Sequence, residues 1–119
     1  MRLSDFEIRE ILNHIATTHP EYRAKSGEPF YERGRETYLF SSHHFVSHYR
    51  AINPNDYADL LDRCRHSRAG QDRTAHGQIA SCLGRYAKHH DEIRPIGRRV
   101  SRDVHDNIVR PMWWVWRRA

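Results

Sequence analysis

The side chains best suited to chemistry in this sequence are its arginines and histidines. Eighteen of the 20 basic residues are arginine, and ten residues are histidine. Some small helical ribonucleases combine the two types, with histidine transferring protons and arginine stabilising the charge on the phosphorane. Arg85 and His90 have the spacing of such a pair. Because pairs of this kind arise by chance in so biased a composition, we favour a non-enzymatic role and keep the ribonuclease as a second alternative.

The histidines also raise the question of a metal site. His44 and His48 are four residues apart, so on a helix they would share one face and could hold a divalent metal. Phe45 occupies the position where the zinc protease motif needs glutamate. Cys64 and Cys82 fall on apolar stripes, as buried inert thiols do. We therefore expect no metal and no other cofactor, with His44 and His48 as the weaker alternative.

Positive charge is concentrated towards the C-terminus. Residues 1–60 carry seven basic and nine acidic side chains, whereas residues 61–119 carry thirteen and six. Such asymmetry predicts a polyanionic partner, and arginine is the side chain best suited to forked contacts with phosphate or guanine. The candidate nucleic-acid-binding residues are Arg85, Arg94, Arg98, Arg99, Arg102, Arg117 and Arg118.

All three tryptophans, Trp113, Trp114 and Trp116, precede the last two of these arginines. Tryptophan beside arginine can stack on nucleobases or anchor a protein interface. Tryptophan can equally complete a small core, and we expect this of one or two of the three. Any of the three tryptophans that stays exposed is a candidate partner-binding side chain.

Hydrophobic periodicity predicts helices along most of the chain. Ser4 and Glu7 fit a capping box, and the apolar residues after them repeat at the spacing of one buried helix face. Asn53-Pro54 is a typical helix start. The other helical regions are predicted over residues 36–52, where Phe40, Phe45 and Val46 also permit a strand, over residues 73–90, and around Val100, Val104 and Ile108 before Pro111.

Part of this pattern suggests a helix-turn-helix-like pair in the C-terminal half. Residues 79–84, Ile-Ala-Ser-Cys-Leu-Gly, have the composition of a first helix and its turn. A second helix from Ile93 would carry the arginines of residues 94–102 on its exposed face. Pro95 obstructs that helix, so an ordinary helical pair with a solvated basic face is the alternative.

Length and composition favour a single small domain, residues 1–119, with a mildly acidic half at 1–60 and a basic half at 61–119 that ends in the tryptophan-rich tail. We predict a mainly α fold, a bundle of about five helices. Leu, Ile, Val and Phe are scarce for a folded domain, so a homodimer could supply burial that the monomer lacks. No apolar run approaches the ~18–20 residues of a membrane span, no signal peptide is evident, and two cysteines favour a reducing cytoplasm.

The function predicted from these features is a small regulatory protein that binds nucleic acid, DNA first and RNA second, through its arginine-rich C-terminal face. The alternative is a protein-binding adaptor, or an inhibitor of the mobile-genetic-element type, that docks an acidic partner surface. The second alternative is the small helical ribonuclease.

Overall fold

The computed structural model describes residues 1–102 and 106–118, and it contains helices and β-sheet together. The prediction of a mainly α, five-helix bundle is wrong. The α-helices of the described ranges are α1 (Asp5–Thr18), α2 (Ser42–Ile52), α3 (Pro54–Arg63) and α4 (Gln71–Ala87), with a 3-10 turn at Pro20–Tyr22. The strands are β1 (Glu36–Ser41), β2 (Ile93–Arg98), β3 (Ser101–Arg102), β4 (Ile108–Val109) and β5 (Met112–Arg118).

Helix α1 forms as its sequence predicts. The Ser4 hydroxyl accepts a hydrogen bond from the Glu7 N–H at 3.1 Å, and the Glu7 carboxylate accepts one from the Ser4 N–H at 3.0 Å. This capping box satisfies two backbone donors that the helix itself leaves open. The predicted apolar face is buried along its whole length, at Ile8, Ile11, Leu12, Ile15 and Ala16.

Helix α4 continues through Gly84 without a break, although a glycine inside a helix costs roughly 1 kcal/mol relative to alanine. Its buried face offsets this cost, since Ala75, Ile79, Cys82, Leu83 and Tyr86 are all at most 3% exposed. Helix α3 begins at Pro54, as Asn53-Pro54 predicts. No helix of the described residues is long and apolar enough to cross a membrane.

The tryptophan-rich segment is the central strand of the sheet. Strand β5 lies between β1 and β2 and runs antiparallel to both. Trp114 and Trp116 face the helices, where they pack with Phe40 and Ile93 in the main core. Val115 points to the opposite face and is 0% exposed. A strand covered on both faces has a continuous apolar sequence, which explains why this core strand resembles an aromatic tail.

Three stretches predicted as helix are strands. Residues 36–41 form β1, and the helix begins only at Ser42. The second helix of the predicted helix-turn-helix is strand β2, so that motif is absent from the described residues. Pro95 suits this outcome because an edge strand tolerates a residue without an N–H. The helix predicted around Val100 and Ile108 is the short β3–β4 ladder, and Val104 lies outside the described residues.

Beyond the three-stranded sheet, the β2–β5 hairpin continues as a two-stranded ribbon. We call residues 97–102 and 106–112 the arm. Its register is shifted from that of the sheet by a bulge between Pro95 and Gly97, where Gly97 adopts a φ of +110° that other residues avoid. From there Arg98 lies opposite Met112, and Ser101 lies opposite Val109. The two pairs share one register, so the arm follows the course of the β2–β5 hairpin, although β3 and β4 form a two-stranded sheet of their own.

Candidate nucleic-acid interface

The register sorts the side chains of the arm into two faces, because alternate residues of a strand point to opposite sides. Arg98 shares a face with Met112, and Arg102 shares that same face with Ile108. Nearer the sheet, this face continues into the tryptophans that the helices bury. Beyond the helices it is open to solvent. We call its exposed members the arginine face: Arg98, Val100, Arg102, Ile108 and Arg110.

The arginine face carries positive charge with little internal neutralisation. Arg102 pairs with Asp106, with 3.4 Å between Nη1 and the carboxylate, and also donates to the Asp106 carbonyl at 3.0 Å. Arg98 donates across the ribbon to the Arg110 carbonyl at 3.0 Å. No carboxylate of residues 1–102 or 106–118 forms an ion pair with Arg98 or Arg110. Within these ranges, therefore, no carboxylate neutralises the guanidinium groups of Arg98 and Arg110.

Two of the predicted arginines project from the other face of the hairpin. Arg94 lies opposite Val115, and Arg99 alternates with Arg98, so both point away from the arginine face. Both side chains are exposed. The Arg99 backbone N–H donates to the Pro111 carbonyl at 3.3 Å and continues the ladder between β2 and β3.

The remaining predicted arginines lie elsewhere. Arg117 is 3.3 Å from a Glu32 carboxylate oxygen, and Arg118 is 3.5 Å from one of Glu36, at the opposite end of β5 from the arm. Arg85 lies on α4 and donates to the Met1 carbonyl at 2.9 Å. Arg110 is not among the predicted arginines, because only a hairpin places it beside Val100 and Arg102.

The tryptophans are mainly core residues. Trp114 is 6% exposed and Trp116 is 5% exposed. The Trp114 indole N–H donates to the Ser42 hydroxyl at 3.0 Å, which ties β5 to the start of α2. Trp113 is half-buried and meets the His44 ring edge-on, with 5.7 Å between centroids. Of the three candidate partner-binding side chains, Trp113 alone keeps appreciable exposure.

His44 and His48, the predicted alternative metal ligands, have different hydrogen-bond partners. His44 Nδ1 accepts the Ser41 N–H at 2.9 Å in a cap of helix α2. His48 Nδ1 lies instead 2.6 Å from Nδ1 of His14 on α1, with the His19 ring 5.1 Å away. Burial lowers the pKa of both His44 and His48, and that of His48 falls to about 4. Among the residues that the structure describes, no group of three histidine, cysteine or acidic side chains is arranged to hold a metal.

Arg85 and His90 line one cleft, between the start of α1 and the end of α4. His90 Nε2 lies 3.0 Å from the Asp5 carboxylate, and the His90 ring stacks on Tyr86 with 3.9 Å between centroids. Tyr86 donates to Glu92, and burial raises the pKa of Tyr86 to about 12, so the phenol stays protonated. No sequence signal indicates Asp5, which lies near the other end of the chain from His90.

The fold and this surface define an α/β domain whose antiparallel sheet extends into a basic β-hairpin arm. Comparison with models of protein families, with curated proteins and with solved structures finds no match to this chain. The geometry of the arm and of the cleft is therefore the basis for assigning a function.

Proposed function

We propose that the protein binds double-stranded nucleic acid, DNA first and RNA second, through the arginine face of its arm. The observation that carries this proposal is the position of Arg98, Arg102 and Arg110 on one exposed side of a ribbon that extends past the helices. Guanidinium groups bind phosphate oxygens through forked, charge-assisted hydrogen bonds.

The shape of the arm favours DNA over RNA. A two-stranded β-ribbon fits within the major groove of B-form DNA, which is about 12 Å wide, and ribbons also enter the minor groove. The major groove of A-form RNA is deep and too narrow for side chains to read. A duplex of DNA therefore offers the arm two usable grooves.

The proposal predicts how steeply the affinity for a duplex falls as the salt concentration rises. The arginine face supplies three phosphate contacts, and Arg94, Arg99 or both can add one or two more. Binding then neutralises about four or five phosphates. Each phosphate contact contributes about −0.9 to the slope of log K against log salt, so raising salt from 50 to 200 mM should weaken binding roughly 150- to 500-fold.

The test is the fluorescence anisotropy of a labelled 20-base-pair duplex at these two salt concentrations. The variant Arg98→Gln/Arg102→Gln/Arg110→Gln should lose most of the affinity and most of the salt slope. A matched control, Arg33→Gln/Arg63→Gln/Arg68→Gln, removes the same charge from exposed positions outside the arm. Absence of duplex binding at 50 mM salt would refute the proposal, as would an equal loss in the control.

The adaptor alternative makes the opposite prediction for the same protein. An acidic partner protein would bind with defined stoichiometry to the arm, and no duplex would compete for it. We place either role in the cytoplasm, where the buried thiols of Cys64 and Cys82 stay reduced, and a homodimer remains compatible with both.

A second candidate function is RNA cleavage in the cleft, and the carrying observation is that Arg85 and His90 both line it. With Asp5 accepting a hydrogen bond from His90 Nε2, the Nδ1 atom can take the proton of a ribose 2′-hydroxyl. The 2′-oxygen then bonds to phosphorus, the 5′-oxygen leaves with a proton from water, and Arg85 neutralises the phosphorane. Cleavage of a labelled RNA should disappear in His90→Ala and persist in His66→Ala, and equal cleavage by both variants would exclude this role.

A further inference from the structure

We propose that the arm bends duplex DNA by inserting Val100 and Ile108 from the minor groove between stacked base pairs. This inference rests on the proposed function, since it concerns how the arginine face engages a duplex. It adds a mode of binding, an element of shape selectivity and two residues that the charge pattern does not indicate.

The register brings the two apolar residues together. Ser101 pairs with Val109 and Arg102 pairs with Ile108, so Val100 falls opposite Arg110 and shares a face with Ile108. Val100 and Ile108 are diagonal neighbours across the ribbon, about 7 Å apart.

Exposure of these side chains calls for an explanation. Val100 is 62% exposed and Ile108 is 66% exposed, whereas Val109 on the opposite face of the arm is partly covered. Two adjacent, exposed, β-branched residues on a ribbon are an aggregation risk unless a partner covers them. Within the arginine face they alternate with Arg98, Arg102 and Arg110, so an uncharged apolar partner is disfavoured.

A DNA minor groove can bind both the arginines and the two apolar side chains of the arginine face. Its phosphates and its negative potential attract arginine, most strongly where the groove is narrow. Apolar wedges inserted between base steps partly unstack them and kink the duplex by roughly 20–90°. The arginines would hold the flanking backbones while Val100 and Ile108 fill the opened step. Binding should then favour pyrimidine–purine steps, which unstack most easily.

The experiment measures bending and binding separately. A 20-base-pair duplex with a central TA step carries a donor and an acceptor dye at its ends, and a second copy carries 2-aminopurine at that step. A kink of about 60° shortens the end-to-end distance by about 9 Å of ~68 Å, which raises energy transfer. The wild-type protein at saturation should raise energy transfer and brighten the 2-aminopurine as the base unstacks.

The variant Val100→Ser/Ile108→Ser should bind the duplex within about tenfold of wild type while both signals return to those of free DNA. The matched control is Phe6→Ser, which replaces an apolar side chain 69% exposed on α1 and should leave both signals unchanged. If the double variant binds too weakly to saturate, each single variant should show part of the loss.

The outcomes test duplex binding and the insertion of Val100 and Ile108 separately. A wild-type protein that does not bind the duplex overturns the proposed function itself. If the wild-type protein binds the duplex without bending or unstacking it, the proposed insertion of Val100 and Ile108 is refuted and the proposed binding is not. Bending that persists in the double variant, or that disappears equally in Phe6→Ser, also refutes the proposed insertion.

Discussion

The contact between His14 and His48 predicts that the protein loses stability in mild acid. The two Nδ1 atoms are 2.6 Å apart, a distance that allows one shared proton and excludes a proton on each. His48 is 7% exposed and joins helix α2 to helix α1. The titratable side chains around it are His19, His44, Tyr22 and, bound to His19 at 2.9 Å, Glu21.

The sign and size of the effect follow from the pKa of His48. Burial, reinforced by the neighbouring histidines, lowers it from 6.5 to about 4. The unfolded chain therefore binds a proton between pH 6.5 and 4 that the folded protein does not. Stability is fully present above pH 6.5 and falls as the pH drops towards 4. At pH 4.5 the loss is about 2.5 kcal/mol, since each pKa unit corresponds to about 1.36 kcal/mol.

The assay is thermal unfolding by circular dichroism at pH 7.5 and at pH 4.5. For a chain of this size, about 2.5 kcal/mol corresponds to a change of roughly 10 °C in Tm. The variant His48→Gln keeps a donor for His14 but cannot titrate, so its fall in Tm should be smaller than that of wild type by about this amount. His66→Gln, at an exposed histidine between α3 and α4, should keep the wild-type slope. An unchanged slope in His48→Gln would refute the reasoning.

Three further predictions test the fold by chemical denaturation. Ser4→Ala removes the capping hydroxyl of α1 and should lower the free energy of unfolding by about 1 kcal/mol. Gly84→Ala should raise it by up to about 1 kcal/mol, because a Cβ there meets no atom within 4 Å and the site is inside a helix; a decrease would contradict this geometry. Trp116→Ala should lower it by about 3–5 kcal/mol, since this side chain is 5% exposed in the core, and a loss below about 1 kcal/mol would favour the exposed-tail interpretation.

Local signals were sufficient where one short stretch of chain decides the structure. The capping box at Ser4 and Glu7 and the apolar stripe behind it predict α1 because both act within a few residues. Asn53-Pro54 likewise predicts the start of α3. Gly84 indicates a potential break in α4, yet packing of the buried face outweighs its propensity.

Local signals failed where strand pairing decides. The tryptophans of β5 are stabilised by partners in β1, in the first half of the chain, and in β2 on the other side. Val100 and Ile108 have the spacing of a helix face, but in a hairpin they also fall on one face of a ribbon. Periodicity of so few residues cannot separate these structures. Pairing with β5 selects β1 and β2, and pairing between β3 and β4 selects the ribbon of the arm.

The same distinction governs the candidate interface. The charge density of the sequence indicates a basic region of seven arginines from Arg94 onward, but arginines that are close in sequence need not form one surface. Arg117 and Arg118 are neutralised by glutamates from the first third of the chain, and no neighbouring residue signals this. The hairpin register places the other five arginines on two opposite faces. One face holds Arg98, Arg102 and Arg110, and the other holds Arg94 and Arg99. A charge count over the tail therefore overestimates the number of arginines that lie on one face. For the proposed duplex binding, the salt slope is the quantity that would measure this difference.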